Sequence, residues 1–133
     1  MSLFSAFNIN ASGMTAERYR MDTISDNVAN ANTTRTADGT PYRRKVVAFE
    51  ERNGRREGSF SHIFGKTVHN HGYAQNMGTG VRISGVYRDR VTEMNTVYDP
   101  SHPDADENGY VTYPNVNIIT EMTNMIDASR AYE

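Results

Sequence analysis

No cysteine occurs among the 133 residues, which excludes disulfides, thiolate metal sites and a cysteine nucleophile, and is compatible with either redox compartment. Nor does any segment approach the roughly 20 consecutive apolar residues that a membrane-spanning helix needs. Met1 to Asn10 holds no basic stretch followed by an apolar run, so neither a cleavable secretory signal nor membrane insertion is expected. Work outside the cytoplasm would then need another export machine. Charge of one sign is short as well: fourteen Lys and Arg against sixteen Asp and Glu leave a formal charge of -2. That gives no field for nucleic acid or an anionic membrane surface. Only 37% of the residues are hydrophobic, and the mean hydropathy is -0.69. What is present, 8 Tyr and 5 Phe among them, suits one domain with a modest core and polar flanks rather than a two-domain enzyme.

Proline is absent from Leu3 to about Ala31, where Phe7, Met14, Met21 and Val28 recur every seven residues. Leu3, Ile24 and Ala31 take complementary d positions, which makes a coiled-coil seam. Asn10 and Glu17 interrupt it, and Asn8, Ser12 and Gly13 lower helix propensity, so this helix needs a partner to bury its stripe. A helix packed on the protein's own core would show the same pattern. Asn32, Thr33, Thr34, Thr36, Asp38-Gly39 and Pro41 then stop the helix and form turns.

Tyr42 to Glu50, with Val46, Val47 and Phe49, reads as a strand, and Asn53-Gly54 offers a hairpin turn before Ser59 to Phe64. Val81 to Tyr87, Thr96 to Tyr98 and Tyr110 to Tyr113 are further short strands, while His69 to Gly80 reads as a flexible loop. After Pro114 the helical period returns: Ile118, Ile119, Met122, Met125, Ile126, Ser129 and Tyr132 form a broad stripe, with Asn117 as N-cap. No Gly, Asn or Pro closes it before Glu133, so the end reads as a cut through a helix. The expected fold class is α+β, with N-terminal and C-terminal coiled-coil-type helices flanking a small β-rich middle domain. The expected segments are 1–33, 34–113 and 114–133.

Two blocks carry a specific resemblance. Ser12-Gly13-Met14-Thr15-Ala16-Glu17-Arg18, Met21-Asp22 and Asn27-Val28-Ala29-Asn30-Ala31 resemble the N-terminal signature of the flagellar axial proteins, the family of rod, hook and related subunits. Within it, Thr33-Thr34-Arg35-Thr36, Gly39 and Pro41-Tyr42-Arg43-Arg44-Lys45 resemble the proximal-rod, FlgC type of basal-body protein. So do Val97-Tyr98-Asp99-Pro100, Pro103-Asp104-Ala105, Gly109-Tyr110-Val111, Pro114-Asn115-Val116, Glu121-Met122 and Ser129-Arg130-Ala131-Tyr132-Glu133. The resemblance implies terminal helices paired in the inner layer of a helical tube, with the β-rich part projecting outward. It implies as partners copies of the chain and other flagellar rod proteins, with export through the flagellar type III apparatus. It also implies a longer C-terminal helix than the one begun here.

Other sites carry less. Asp104-Ala105-Asp106-Glu107-Asn108-Gly109 matches the opening of an EF-hand calcium loop, but position 12 is Asn115 instead of Glu, and Pro100 and Pro103 oppose an entering helix. An acidic surface turn fits the same residues. His69 and His71, with His62 or His102, could in principle hold a metal, but their glycine-rich surroundings would not preorganise them. Arg43-Arg44-Lys45 and Arg55-Arg56 interleave with Glu50, Glu51 and Glu57, which suits inter-subunit or solvent contacts better than nucleic acid. Gly78-Thr79-Gly80 lacks the third glycine of a dinucleotide loop. No serine or carboxylate pair sits in a catalytic pattern, so no enzyme activity, cofactor or metal is expected.

The sequence therefore reads as a structural subunit of the flagellar proximal rod. The expected assembly contacts are Phe7, Met14, Met21, Ile24, Val28, Ile118, Ile119, Met122, Met125 and Ile126. The methionines suit a face that adapts to slightly different neighbours. Another axial position, or a secreted calcium-dependent binding module built on the Asp104 loop, are the alternatives.

Overall fold

A computed structural model describes residues 3–52 and 78–133. Helix α1 spans Leu3–Ala29, and strands β1 (Lys45–Glu51), β2 (Val81–Arg88), β3 (Asn95–Tyr98) and β4 (Tyr110–Tyr113) follow, then helix α2 (Ile118–Tyr132). Two antiparallel two-stranded sheets, β1-β2 and β3-β4, lie between the helices in the chain, in agreement with the α+β expectation. The turn at Asn53-Gly54, the strand Ser59 to Phe64 and the histidines His62, His69 and His71 lie outside the described residues.

α1 ends where its sequence changes. The Asn30 amide donates to Asp26 O and the Ala31 amide to Val28 O, tightening the last turn, and the Asn30 side chain also donates to Asp26 O at 2.9 Å. The Thr33 to Tyr42 segment then folds back on itself, the Tyr42 amide donating to Thr33 O, with a turn at Thr36–Thr40 in which Gly39 takes φ 78°. A side chain there would be strained, which explains the Asp38-Gly39 pair.

β1 begins three residues after the expected start at Tyr42. The amides of Tyr42 and Arg44 are engaged elsewhere, by Thr33 O and by the Asn115 side chain at 2.8 Å, so neither joins the ladder. β2 carries an extra residue, Ser84, between the pairs Ala48↔Gly85 and Phe49↔Ile83, and the Ser84 hydroxyl donates to Ala48 O. Such a bulge bends and twists the ribbon. β3 and β4 pair from Asn95↔Tyr113 to Tyr98↔Tyr110, and the last two rings meet edge-on with centroids 5.2 Å apart. At the turn between them Gly109 has φ 82°, and a Cβ there would lie 3.0 Å from both Tyr98 and Pro100. Only glycine fits.

The apolar core is small. Ala31, Tyr42 and Val116 form one buried cluster, Val111 is fully buried, and Ala16, Ile24 and Ala128 complete it along the helices. Asn117 caps α2 as expected, its Oδ1 accepting from the amides of Ile119 and Thr120.

The amino-terminal half of α1 meets the start of β2 at one close approach. The Ser12 hydroxyl donates to Ile9 O and accepts from the Val81 amide at 3.1 Å. Gly80 faces it with φ 117°, and a Cβ on Gly80 would collide with the Ser12 hydroxyl. Gly80→Ala should therefore destabilise the protein by about 2 kcal/mol, through overpacking and left-handed backbone strain together. Adding Ser12→Ala should recover part of that loss but not the strain, as read from the midpoints of urea unfolding for the parent and the two variants; equal midpoints for Gly80→Ala and the parent would refute the close contact.

Candidate assembly surface

The residues that α1 and α2 bury are not mainly their large apolar ones. α1 buries Ala16, Thr23, Ile24 and Asn27, and α2 buries Glu121 and Ala128. On α2 these positions lie seven apart, with half-buried Asn124 and Met125 between them on the same side. The apolar residues that the periodicity singled out mostly face away. Ile119 is 78% exposed, Met122 and Ile126 54% each, Phe7 59% and Met14 43%, and Ile118 is also exposed. Leu3 and Phe4 extend the exposed apolar end of α1. Of the ten expected contact residues, Ile24 is buried inside the protein, while Met21, Val28 and Met125 are half-buried.

Polar groups hold the helices together instead. The Asn27 side chain donates to Glu121 Oε2 at 3.1 Å and to Lys45 O at 2.9 Å, and accepts from the Tyr42 hydroxyl and the Lys45 amide, both at 2.9 Å. Glu121, 1% exposed, takes the Arg44 Nε–H on its other oxygen. Arg44 in turn reaches Asp89 at 3.4 Å. The Asn115 carboxamide accepts from the Arg44 amide and donates to the carbonyls of Asp89 and Thr92. One connected network thus joins α1, β1, the segments after β2 and β4, and α2. It also gives Arg44 an interior role, whereas the sequence reading placed the whole Arg43-Arg44-Lys45 run at the surface.

Two members have shifted acidities. Burial pushes the Tyr42 hydroxyl up to about 12, and the carboxylates of Asp26 and Glu121 reinforce the shift. Hydrogen bonds from the Thr92 amide and hydroxyl, then from the Val91 amide, outweigh partial desolvation and hold the Asp89 carboxyl at about 2, with Arg44 adding its charge. Asp89 therefore stabilises the fold above its unfolded pKa near ~4, and that stability is lost as pH falls toward 2.

The acidic loop is built as a turn. Asp104 Oδ2 accepts from the Thr34 hydroxyl at 2.7 Å, and its other oxygen lies 3.9 Å from Arg35. Asp106 Oδ1 accepts from the amides of Asn108 and Tyr110. The chain continues into β4 and not into a helix, so the residues of the EF-hand reading serve the hairpin. His102 Nδ1 accepts from the Asp104 amide at 3.0 Å. Among the described residues no group of three or more His, Asp or Glu is placed to hold a metal, and no helix is long and apolar enough to cross a membrane.

The network was not legible from periodicity because each member is polar and its partners lie far apart in the chain. The available signal was the clustering of Asn27, Tyr42, Arg44, Asn115 and Glu121 inside the two family-like blocks. Residues 7–35 match the family described as "Flagella basal body rod protein", and residues 107–133 match "Flagellar basal body rod FlgEFG protein C-terminal". Asn27 stands in the first match and Glu121 in the second. The chain is similar along its whole length to the flagellar basal-body rod protein FlgC of Borreliella burgdorferi, at 43% identity over 138 positions and 86% of that protein. It is 39% identical to FlgC of Bacillus subtilis, covering 86% of it, and 33% identical to FlgC of Salmonella typhimurium, covering 84%.

Glu121→Ala should cost about 3 kcal/mol, because it strips Arg44 and Asn27 of a buried partner. Glu121→Gln, which keeps the shape and an acceptor, should cost about 1 kcal/mol. Chemical denaturation of both variants reads the difference, and equal losses would show that only side-chain volume matters at this position. Tyr42→Phe tests the raised hydroxyl. A phenol neutral in the folded state stabilises the protein below its unfolded pKa of about 10, and that stability disappears as pH rises toward 12. The parent should show one tyrosine that ionises late by tyrosinate absorbance, and the variant should lack it.

Proposed function

Since the chain belongs to the FlgC family of flagellar basal-body rod proteins, we propose that it assembles through the outward apolar faces of α1 and α2, at a proximal position in the rod. It is a structural axial subunit of the flagellar basal body, not an enzyme, and its family implies contact with other axial rod proteins. The observation that carries the assembly reading is the exposure of the helix pair: the buried residues of α1 and α2 are mostly small or polar, with Ile24 the one large apolar side chain among them, whereas Phe7, Met14, Ile118, Ile119, Met122 and Ile126 are exposed. Each such side chain covered by a neighbour would contribute about 1.5–3 kcal/mol, so a few per subunit suffice when the contact repeats. A contact between unlike patches of identical chains propagates into an open helical array. In this reading segments 1–33 and 114–133 supply the assembly faces, and 34–113 projects between neighbours. Met14, Met21, Met122 and Met125 allow the faces to fit neighbours of differing sequence.

We further infer that the subunit leaves the cell through the flagellar type III apparatus without a cleaved signal. The support is physical. A polar chain with a small apolar core and no cysteine threads unfolded through a narrow channel and gains order when its helix faces are covered on assembly.

Ile119→Glu with Met122→Glu is the direct test, because both residues are exposed in the single subunit. The double variant should unfold within about 0.5 kcal/mol of the parent. Expressed in a strain lacking the gene, it should fail to restore the hooks and filaments that the parent restores, as seen by electron microscopy of the cell surface. Normal flagella with the double variant would remove the α2 stripe as an assembly face, whereas normal flagella in the deletion strain itself would sink the rod role.

A further inference from the structure

Away from the helix faces, four cations line one cleft of about 430 Å³. Arg43 and Lys45 stand on one side and Arg88 and Arg90 on the other, over the fold-back of residues 36–42. Asp38 is the one carboxylate among its described lining residues. Lys45 is paired with Asp26 at 3.3 Å, but Arg43, Arg88 and Arg90 form no ion pair among the described residues. The register makes the crowding worse. Lys45 and Arg88 are direct cross-strand partners, and the backbone N–H and C=O of Lys45 are both engaged by Asn27, so the two residues form the closer, non-hydrogen-bonded type of pair. Like charges directly opposite one another are unfavourable. A chain with a net charge of -2 has nonetheless gathered these cations, which calls for an anionic occupant.

The same molecule presents one. Asp104 and Asp106, in the turn that continues to Glu107, line a second recess that shares Pro41 and Thr112 with the basic cleft, so Pro41 and Thr112 stand between the recesses. Asp106 and Glu107 are exposed, and Glu107 has no ion-pair partner among the described residues. Within the subunit Thr34 and Arg35 hold Asp104 in the second recess, away from the basic cleft, whose lining includes no residue of the turn. A neighbouring copy is not so restrained.

We propose that the Arg43, Lys45, Arg88 and Arg90 cleft receives the Asp104–Glu107 turn of an adjacent copy of this chain. The contact joins unlike patches, so it continues from copy to copy, and it sets lateral spacing independently of the helix faces. Its choice of partner rests on the reading of the chain as a self-assembling subunit. Being half-exposed and ionic, it weakens as salt rises.

The absence of cysteine makes a clean test possible. Arg90→Cys and Glu107→Cys each introduce one thiol at a position outside the hydrogen bonds that hold the fold. Both variants are expressed together in the strain lacking the gene, and isolated basal bodies are oxidised and run on a non-reducing gel. A disulfide dimer of this chain is expected in severalfold excess over that from either variant alone. Basal bodies that contain both variants but yield no such dimer, or a dimer from Arg90→Cys alone, would overturn the proposal while leaving the rod role standing. Absence of the parent chain from basal bodies would remove both. Should a thiol variant fail to incorporate, exchange of charge decides: Arg88→Glu should lower incorporation severalfold, and Glu107→Arg in the same chain should restore it. No recovery in the double variant would count against the contact.

Discussion

The Asn27 carboxamide accepts from the Tyr42 hydroxyl and the Lys45 amide and donates to the Lys45 carbonyl and Glu121. Two donors and two acceptors are its full capacity, and all four are used inside the protein. Toward Lys45 it behaves as a short piece of strand, offering an N–H and a C=O to the outer edge of β1. A helix thereby docks on a sheet edge through peptide-like pairing, beside the buried Ile24. Burying an unsatisfied amide would cost several times the net gain of one hydrogen bond, so the site tolerates few alternative geometries.

That intolerance explains the division of labour between faces. The interior contact of α1 with α2 depends on direction: Glu121 must meet both Arg44 and Asn27, and Arg44 must still reach Asp89. Partly satisfied polar networks are expensive, so a sliding register is penalised. The outward faces depend only on area and shape, and they carry flexible methionine among isoleucine and phenylalanine. The first contact fixes one subunit conformation, whereas the second accepts neighbours that are similar but not identical.

Much of the framework could be read from the sequence because it follows from local chemistry. The limits of α1 follow from the proline-free run and the Asn and Thr cluster beyond it, the α2 cap from Asn117, and β4 from Tyr110 to Tyr113 flanked by Gly109 and Pro114. The start of β1 was misplaced because Tyr42 and Arg44 look like strand residues, while their amides are claimed by distant groups. The heptad count groups Ile24, Met21 and Val28 with Phe7 and Met14 as one assembly stripe, and it could not tell that Ile24 is buried in the subunit while Phe7 and Met14 are exposed. Hydrophobic periodicity scores Asn27 and Glu121 as solvent-facing, so the residues that organise the helix pair were invisible to it. Their placement depends on contacts between positions 94 apart in the chain.

The β1-β2 ladder does not stop at its last paired residues. The Arg52 amide donates to Gly80 O, and the Thr79 amide and hydroxyl donate to Arg52 O, so the two ends of the intervening chain are fixed as neighbours. Where two chain ends are held in this way, the closure entropy of a flexible connection grows slowly with its length, by about 0.6 kcal/mol for each doubling. Residues 52 and 79 are therefore the borders at which a graft would meet a chain crossing already set by hydrogen bonds.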